Sequence, residues 1–362
     1  MAQREESEMK RLFLIICLLL VPSVVMAASS RILPASYTEY TYDSAGGGED
    51  YTALATWEAD TDIDVSSTGQ VLTCSSGIHN DAVILDGATT DSNGFRVIRA
   101  AEGARGTPTS GVRFVTASNG DAEIDFYTFI CNENYFVFQD LAVKHTNTYY
   151  NSRGCAWYLR PDSGEKIYCI GCTAYECGDT NGSNAFGYGF GAASVSSAGG
   201  ESYFINCLAK DIVGNLATAT CGFLVNVPSV YYNTTAYLYN CTSINSQKYG
   251  LIIRADTDKT TTVYSKNCIF QDNTSGSIYT FGGGTYAHTQ TTNATSGVTF
   301  AADGYHLASN DTGAIGNGTD LSADGVFAFT DDIDGETRDD WDIGADEYVA
   351  SSTRRRVIIV GD

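Results

Sequence analysis

The sequence predicts an all-β chain folded as a solenoid of stacked parallel coils, and three observations carry that expectation. The first is composition. Only five prolines, 37 glycines and 23 tyrosines, with abundant Thr, Ser and Asn and almost no run of good helix formers, favour strands joined by many turns. The second is internal repetition: Phe136-Val-Phe-Gln-Asp-Leu-Ala-Val143, Ile167-Tyr-Cys-Ile-Gly-Cys-Thr-Ala174, Ser202-Tyr-Phe-Ile-Asn-Cys-Leu-Ala209, Ala236-Tyr-Leu-Tyr-Asn-Cys-Thr-Ser243 and Val263-Tyr-Ser-Lys-Asn-Cys-Ile-Phe270 align without a gap, as copies of one structural unit do. The third is spacing. The sixth position of the motif holds Leu141, Cys172, Cys207, Cys241 and Cys268, at separations of 31, 35, 34 and 27 residues. A constant motif at variable spacing means that the strands register while the loops between them differ in length.

Taken in chain order, residues 1–27 read as a secretory signal peptide. Lys10 and Arg11 precede an apolar run over 12–25, and the small Ala27 and Ala28 follow it, the pattern of a cleaved leader. The run is shorter than a comfortable membrane span and no later run reaches about eighteen apolar residues, so no transmembrane span is expected. The mature chain is then secreted or held at the cell surface. Cleavage removes three basic and three acidic residues, so the mature charge is 18 minus 40, still −22. Such a surface repels phosphate backbones, which argues against nucleic-acid partners.

Residues 28–69 read as an N-terminal strand and a capping helix, the helix over 52–60, where Leu54 and Trp57 share a face. Residues 70–300 read as roughly eight coils. Each repeat places apolar residues on both sides of a polar bend, and Asn206, Asn240 and Asn267 occupy that bend. Asparagine tolerates the left-handed backbone a sharp corner needs, and stacked Asn side chains can bond from coil to coil. A second strand opens at a glycine after each motif, as in Gly154-Cys-Ala-Trp-Tyr-Leu and Gly250-Leu-Ile-Ile.

Over residues 71–300 these features resemble the right-handed parallel β-helix repeat family, the pectin-lyase-like solenoids. The resemblance implies a single-stranded right-handed parallel β-helix. The stretch Asp334-Gly-Glu-Thr-Arg-Asp-Asp-Trp-Asp-Ile-Gly-Ala-Asp-Glu347 is similar to the Asp-Gly...Arg...Asp-Ile-Gly-Ala-x-Glu tail of many secreted bacterial members, and it marks 301–349 as a C-terminal cap. Residues 350–362, with the basic run 354–356, read as a solvated tail. The family spans lyases, hydrolases, tailspikes and adhesins, so the fold implies no one activity.

Ten cysteines remain in the mature chain. The four at the sixth motif position point inward from successive strands, where thiols stack well and bridge geometry is poor, so they are expected to be buried and free. Cys169, Cys172 and Cys177 are close in sequence, but no His lies nearby and strand parity separates them, which disfavours zinc. The histidines at 79, 145, 288 and 306 read as solvated turn or loop residues. The paired Asp motifs and Gly-His-Gly of galacturonan hydrolases are absent, and Arg254 beside Asp256 is the one pair resembling a lyase base and ligand.

Three sets of candidate site residues follow. Four residues after Leu141 and its counterparts lie His145, Glu176, Asp211, Asn245 and Asp272; stacked at coil spacing they form a polar file, and His145, Glu176, Asp211 and Asp272 are the catalytic candidates if the chain is a lyase or hydrolase. Tyr168, Tyr203, Tyr237 and Tyr264 share an outward position, a solvent-facing column suited to stacking on sugar rings. Asp332, Asp334 and Asp342 stand in a crowd of acids whose oxygens suit calcium; no other cofactor is implied. The function expected is glycan binding, adhesive or structural and without catalysis, on an extracellular or surface polysaccharide. The alternative is a polysaccharide lyase or glycoside hydrolase.

Overall fold

The computed structural model describes residues 31–350 apart from 119–122, 162–163, 196–198 and 228–230. The expected signal peptide and most of the expected tail lie outside the described residues. The chain is an all-β parallel solenoid, a parallel β-helix, and its strands collect into three sheets. Among the described residues the first has nine strands, beginning with Tyr37–Tyr42, Gly69–Cys74 and Arg96–Ala100 and ending with Thr285–Thr291. The second has seven, from Val83–Leu85 to Gly276–Phe281, so the coil makes about seven turns rather than eight. The third is made of shorter strands such as Ala142–Asn147, Thr173–Tyr175 and Leu208–Lys210.

Every ladder between these strands is parallel, and the register follows the repeats. Tyr168 pairs with Tyr203, Tyr203 with Tyr237 and Tyr237 with Tyr264. Inside, side chains stack in files. Trp157, Phe190 and Phe223 lie face to face with centroid separations of 4.8 and 5.0 Å, the offset arrangement that aromatic quadrupoles favour. All ten cysteines among the described residues are free and buried. In the file that begins at Cys172 each thiol points at a carbonyl of the preceding coil: Cys207 Sγ lies 3.2 Å from Cys169 O, and Cys241 Sγ 3.2 Å from Phe204 O.

The expected helix forms at Leu54–Thr61 and closes the first end of the interior with Leu54 and Trp57. It has no cap from its own flank; instead the Asp81 carboxylate accepts from Leu54 N at 3.0 Å. Arg96, fully buried, lies 5.1 Å over the Trp57 ring and pairs with Glu58 and Glu133. Charges so buried persist because each has a partner.

The bends between the first and third sheets use the predicted geometry. Asn206, Asn240 and Asn267 have φ of 52°, 49° and 52°, and Asn267 Nδ2 donates to Asn240 Oδ1 across one coil at 3.2 Å. These asparagines also receive the C-terminal segment, which runs along this flank of the solenoid. Asn206 Nδ2 donates to Asp331 O and Asn240 Nδ2 to Asp342 O. Arg338 is buried in the seam, donating to Asn206 Oδ1 at 3.1 Å and to the carbonyls of Gly344 and Ala345 at 3.0 and 2.7 Å. Gly344, at φ 105°, lies so close to the third sheet that a Cβ would meet Ile269 Cδ1 at 2.5 Å.

Candidate ligand-binding groove

The predicted site residues scatter. Glu176, Asp211, Asn245 and Asp272 do stack at one corner, each with left-handed backbone (φ 49–57°). His145 does not join them. Its strand pairs Val143 with Ala174 and Thr146 with Gly178, three steps against four, so the later coil holds one extra residue, Glu176, at its bend. His145 therefore stays in regular strand and turns inward, 2 % exposed. Its Nε2 faces Asp125 O at 3.1 Å and its Nδ1 the Thr116 hydroxyl at 2.7 Å, and burial pushes it down to about 4. His79 is also buried and His288 lies half-buried in the strand Thr285–Thr291, so three of the four histidines correct the expectation of solvated turns or loops. The acids of the file are tied to lysines rather than to one another: Lys144 pairs with Glu176 and Lys210 with Asp211, while Gln271 Nε2 donates to Asp272 at 3.0 Å.

The tyrosine column forms as a stack, with successive centroids 4.6, 4.6 and 5.1 Å apart, but it is not open to solvent along its length. Residues 321–341 lie against the outer face of the first sheet. Leu321, Phe329 and Trp341 join its buried cluster, and Phe327 reaches to 6.0 Å from Tyr168. Tyr203 is 1 % exposed, with its hydroxyl donated to Glu201 at 2.6 Å. The platform expected to face solvent is covered at Tyr203 and half-buried at Tyr168, Tyr237 and Tyr264.

The three acids read for calcium do not share one centre either. Asp332 accepts from the amides of Asp334, Glu336 and Glu347, and Asp342 from those of Gly316 and Tyr348. Both are buried, and burial pushes each carboxyl up to about 6. Their oxygens brace the turns of the C-terminal segment. Asp334 faces elsewhere, toward His306.

A recess opens where none was expected, on the outer face of the second sheet. It encloses about 390 Å³. The floor comes from a break in alternation: in Arg153–Leu159, Ala156, Trp157 and Leu159 point into the solenoid and Cys155 and Tyr158 out, and Tyr127 and Tyr188, which pair with Cys155, face outward beside Leu224. Tyr127 and Tyr158 stack at 5.2 Å. Gly191 makes room for these rings, since a Cβ there would lie 2.5 Å from Tyr188 and 2.9 Å from Tyr158. Leu216, Thr218 and Ala219 form one wall and Tyr231 another.

Two arginines enter this aromatic setting. Arg153 lies between Phe126 and Phe186, 4.8 and 5.3 Å from their centroids, and donates to the Tyr127 hydroxyl at 3.2 Å. Arg254 is held by both carboxylate oxygens of Asp256, at 2.8 and 3.0 Å. Asn226, one strand over in register with Arg254, has a buried Oδ1 with no hydrogen-bond partner among the described residues. A buried acceptor left unmet costs about 1–3 kcal/mol, so one at the wall of a recess invites a donor from a ligand. The repeats do not announce this groove, because those that align belong to the first sheet and its bend. The signal was there in Tyr158, outward by parity beside the inward Trp157.

Comparison with protein-family models, with curated proteins and with solved structures finds no match for the chain.

Proposed function

We propose that the chain is a secreted or cell-surface protein that binds an extracellular polysaccharide in this groove, adhesive or structural in role and without turnover. The groove carries the reading: an aromatic floor, arginines at its wall and an unmet buried acceptor in Asn226. Ring faces stack on the apolar faces of sugars, while guanidinium and amide groups meet hydroxyls and acidic substituents. None of the described groove-lining residues is a carboxylate. Common glycoside hydrolysis needs two flanking the scissile bond, which favours binding. The right-handed winding and the pectin-lyase-like kinship belong to this proposal; most parallel crossovers wind that way. The leader-like residues 1–27 support export.

The lyase alternative has one observation in its favour, Arg254 at the groove wall. Its bidentate pair with Asp256 fixes the planar fork at the wall, a geometry that suits an anion clamp better than a base. Panels of neutral and acidic polysaccharides incubated with the mature chain test both readings. Retention without reducing-end or unsaturated products is expected. Product formation that vanishes with Arg254→Ala would replace binding by lysis, and failure to retain any glycan would sink both.

A further inference from the structure

We infer that His306, Asp334 and Asp346 form a site for a divalent transition-metal ion, of which zinc is the simplest probe. One ligand atom from each lies within 4.8 Å of the others. An ion about 2.0–2.2 Å from each donor spans such a group after small side-chain shifts.

Acidic side chains crowd many surfaces without an ion, and two features separate this group. The first is the imidazole, a donor that selects transition metals over calcium and magnesium. Its Nε2 donates to Asp334 Oδ2 at 2.8 Å and its Nδ1 to Asp303 Oδ2 at 2.5 Å, so the ion takes the place of the Nε2 proton, which leaves to solvent. The Asp303 contact is the carboxylate–histidine arrangement that fixes a metal-binding ring through its second nitrogen. The second feature is that the remaining donors are steered as well. Asp303 accepts from the amides of Tyr305 and His306, which sets the turn, and Asp346 Oδ2 accepts from Leu307 N at 2.6 Å. Asp346 is buried at 7 % exposure, whereas His306 is half-buried and Asp334 exposed. The ion therefore sits at a buried wall with one side open to solvent. It joins the 303–307 turn to the C-terminal segment that lies on the Asn bends, and so acts as a clasp on that segment.

The test is zinc titration of the metal-stripped mature chain, followed by calorimetry and by thermal melting. One zinc per chain and a raised melting temperature are expected. Cobalt in place of zinc should give a visible absorption band typical of nitrogen and oxygen donors. His306→Gln should abolish the band, and Asp303→Asn, which leaves every ligand in place, should weaken zinc about 10–100-fold. Absence of zinc binding by the wild type overturns the site, whatever the variants do. Equal zinc affinity in wild type and folded His306→Gln also overturns it, as does binding of calcium in preference to zinc.

Discussion

His145 shows how a single residue of register changes chemistry. Burial keeps its ring neutral, and since the Asp125 carbonyl can only accept from Nε2, Nδ1 is left to accept from the hydroxyls of Thr116 and Thr128. Burial disfavours the charged imidazolium and holds the ring down at about 4, against an ordinary value of about 6.5. The unfolded chain therefore takes up the proton first as acid is added. Stability from this group is complete above pH ~6.5 and drains as pH falls toward 4, by roughly 3 kcal/mol for a shift of this size. His288, also pushed down to about 4 by burial, acts in the same sense. Melting temperature should fall between pH 6.5 and 4, and His145→Gln should flatten part of that fall. An unchanged pH profile in the variant would mean that the ring is not buried neutral. The polar file could not reveal this from sequence, because counting four residues past Leu141 assumes a bend residue that this coil lacks.

At the scale of elements, the C-terminal segment is a strap along the bends, and its motif reads as a set of fasteners. Asp342 braces Gly316 and Tyr348, Ile343 enters an apolar cluster with Ile269 and Leu307, and Gly344 lies flat against the sheet. Glu347 accepts from the amides of Asp340 and Asp342 and pairs with Arg338 at 3.3 Å. Arg338 joins strap to solenoid through Asn206. Its removal leaves Glu347 and several carbonyls buried without their donor, so Arg338→Met should destabilise by about 3–5 kcal/mol. Lysine should not restore the loss, since it lacks the planar fork that reaches four acceptors at once. Thermal melts decide the matter: an unmoved melting temperature in Arg338→Met would mean that apolar contacts alone hold the strap. The motif was legible as a unit, but its lateral placement was not. Which surface a strap covers depends on contacts across more than a hundred residues, here Asn206 to Arg338, that no local pattern encodes.

Across the whole molecule, the sequence carried the stacking because repetition and period-two alternation act within a few residues of each strand. The inward cysteines, the left-handed asparagines and the paired tyrosines all fell where the repeats put them. Exposure of the outer faces was a different question, since it turns on which faces later segments cover. Residues 321–341 cover the first sheet and the strap covers the bends and the third sheet, whereas the second sheet keeps its recess. This difference yields opposite expectations for two tyrosines. Tyr203 is buried between Tyr168 and Tyr237 and beneath Phe327, so Tyr203→Ala should open a cavity and lower stability by about 3–5 kcal/mol, in the range for a buried aromatic. Glycan affinity, measured below the variant's melting temperature, should be unchanged. Tyr231 stands at the groove wall, half-buried and edge-on to Tyr158 at 6.3 Å. Tyr231→Ala should leave the melt nearly unmoved and weaken glycan binding about twofold to tenfold, the equivalent of one stacked ring at roughly 0.5–1.5 kcal/mol. Glycan binding and melts on the same two proteins separate the possibilities. If Tyr203→Ala abolishes binding while Tyr231→Ala does not, the ligand sits on the first sheet, and residues 321–341 must lift from the column to admit it.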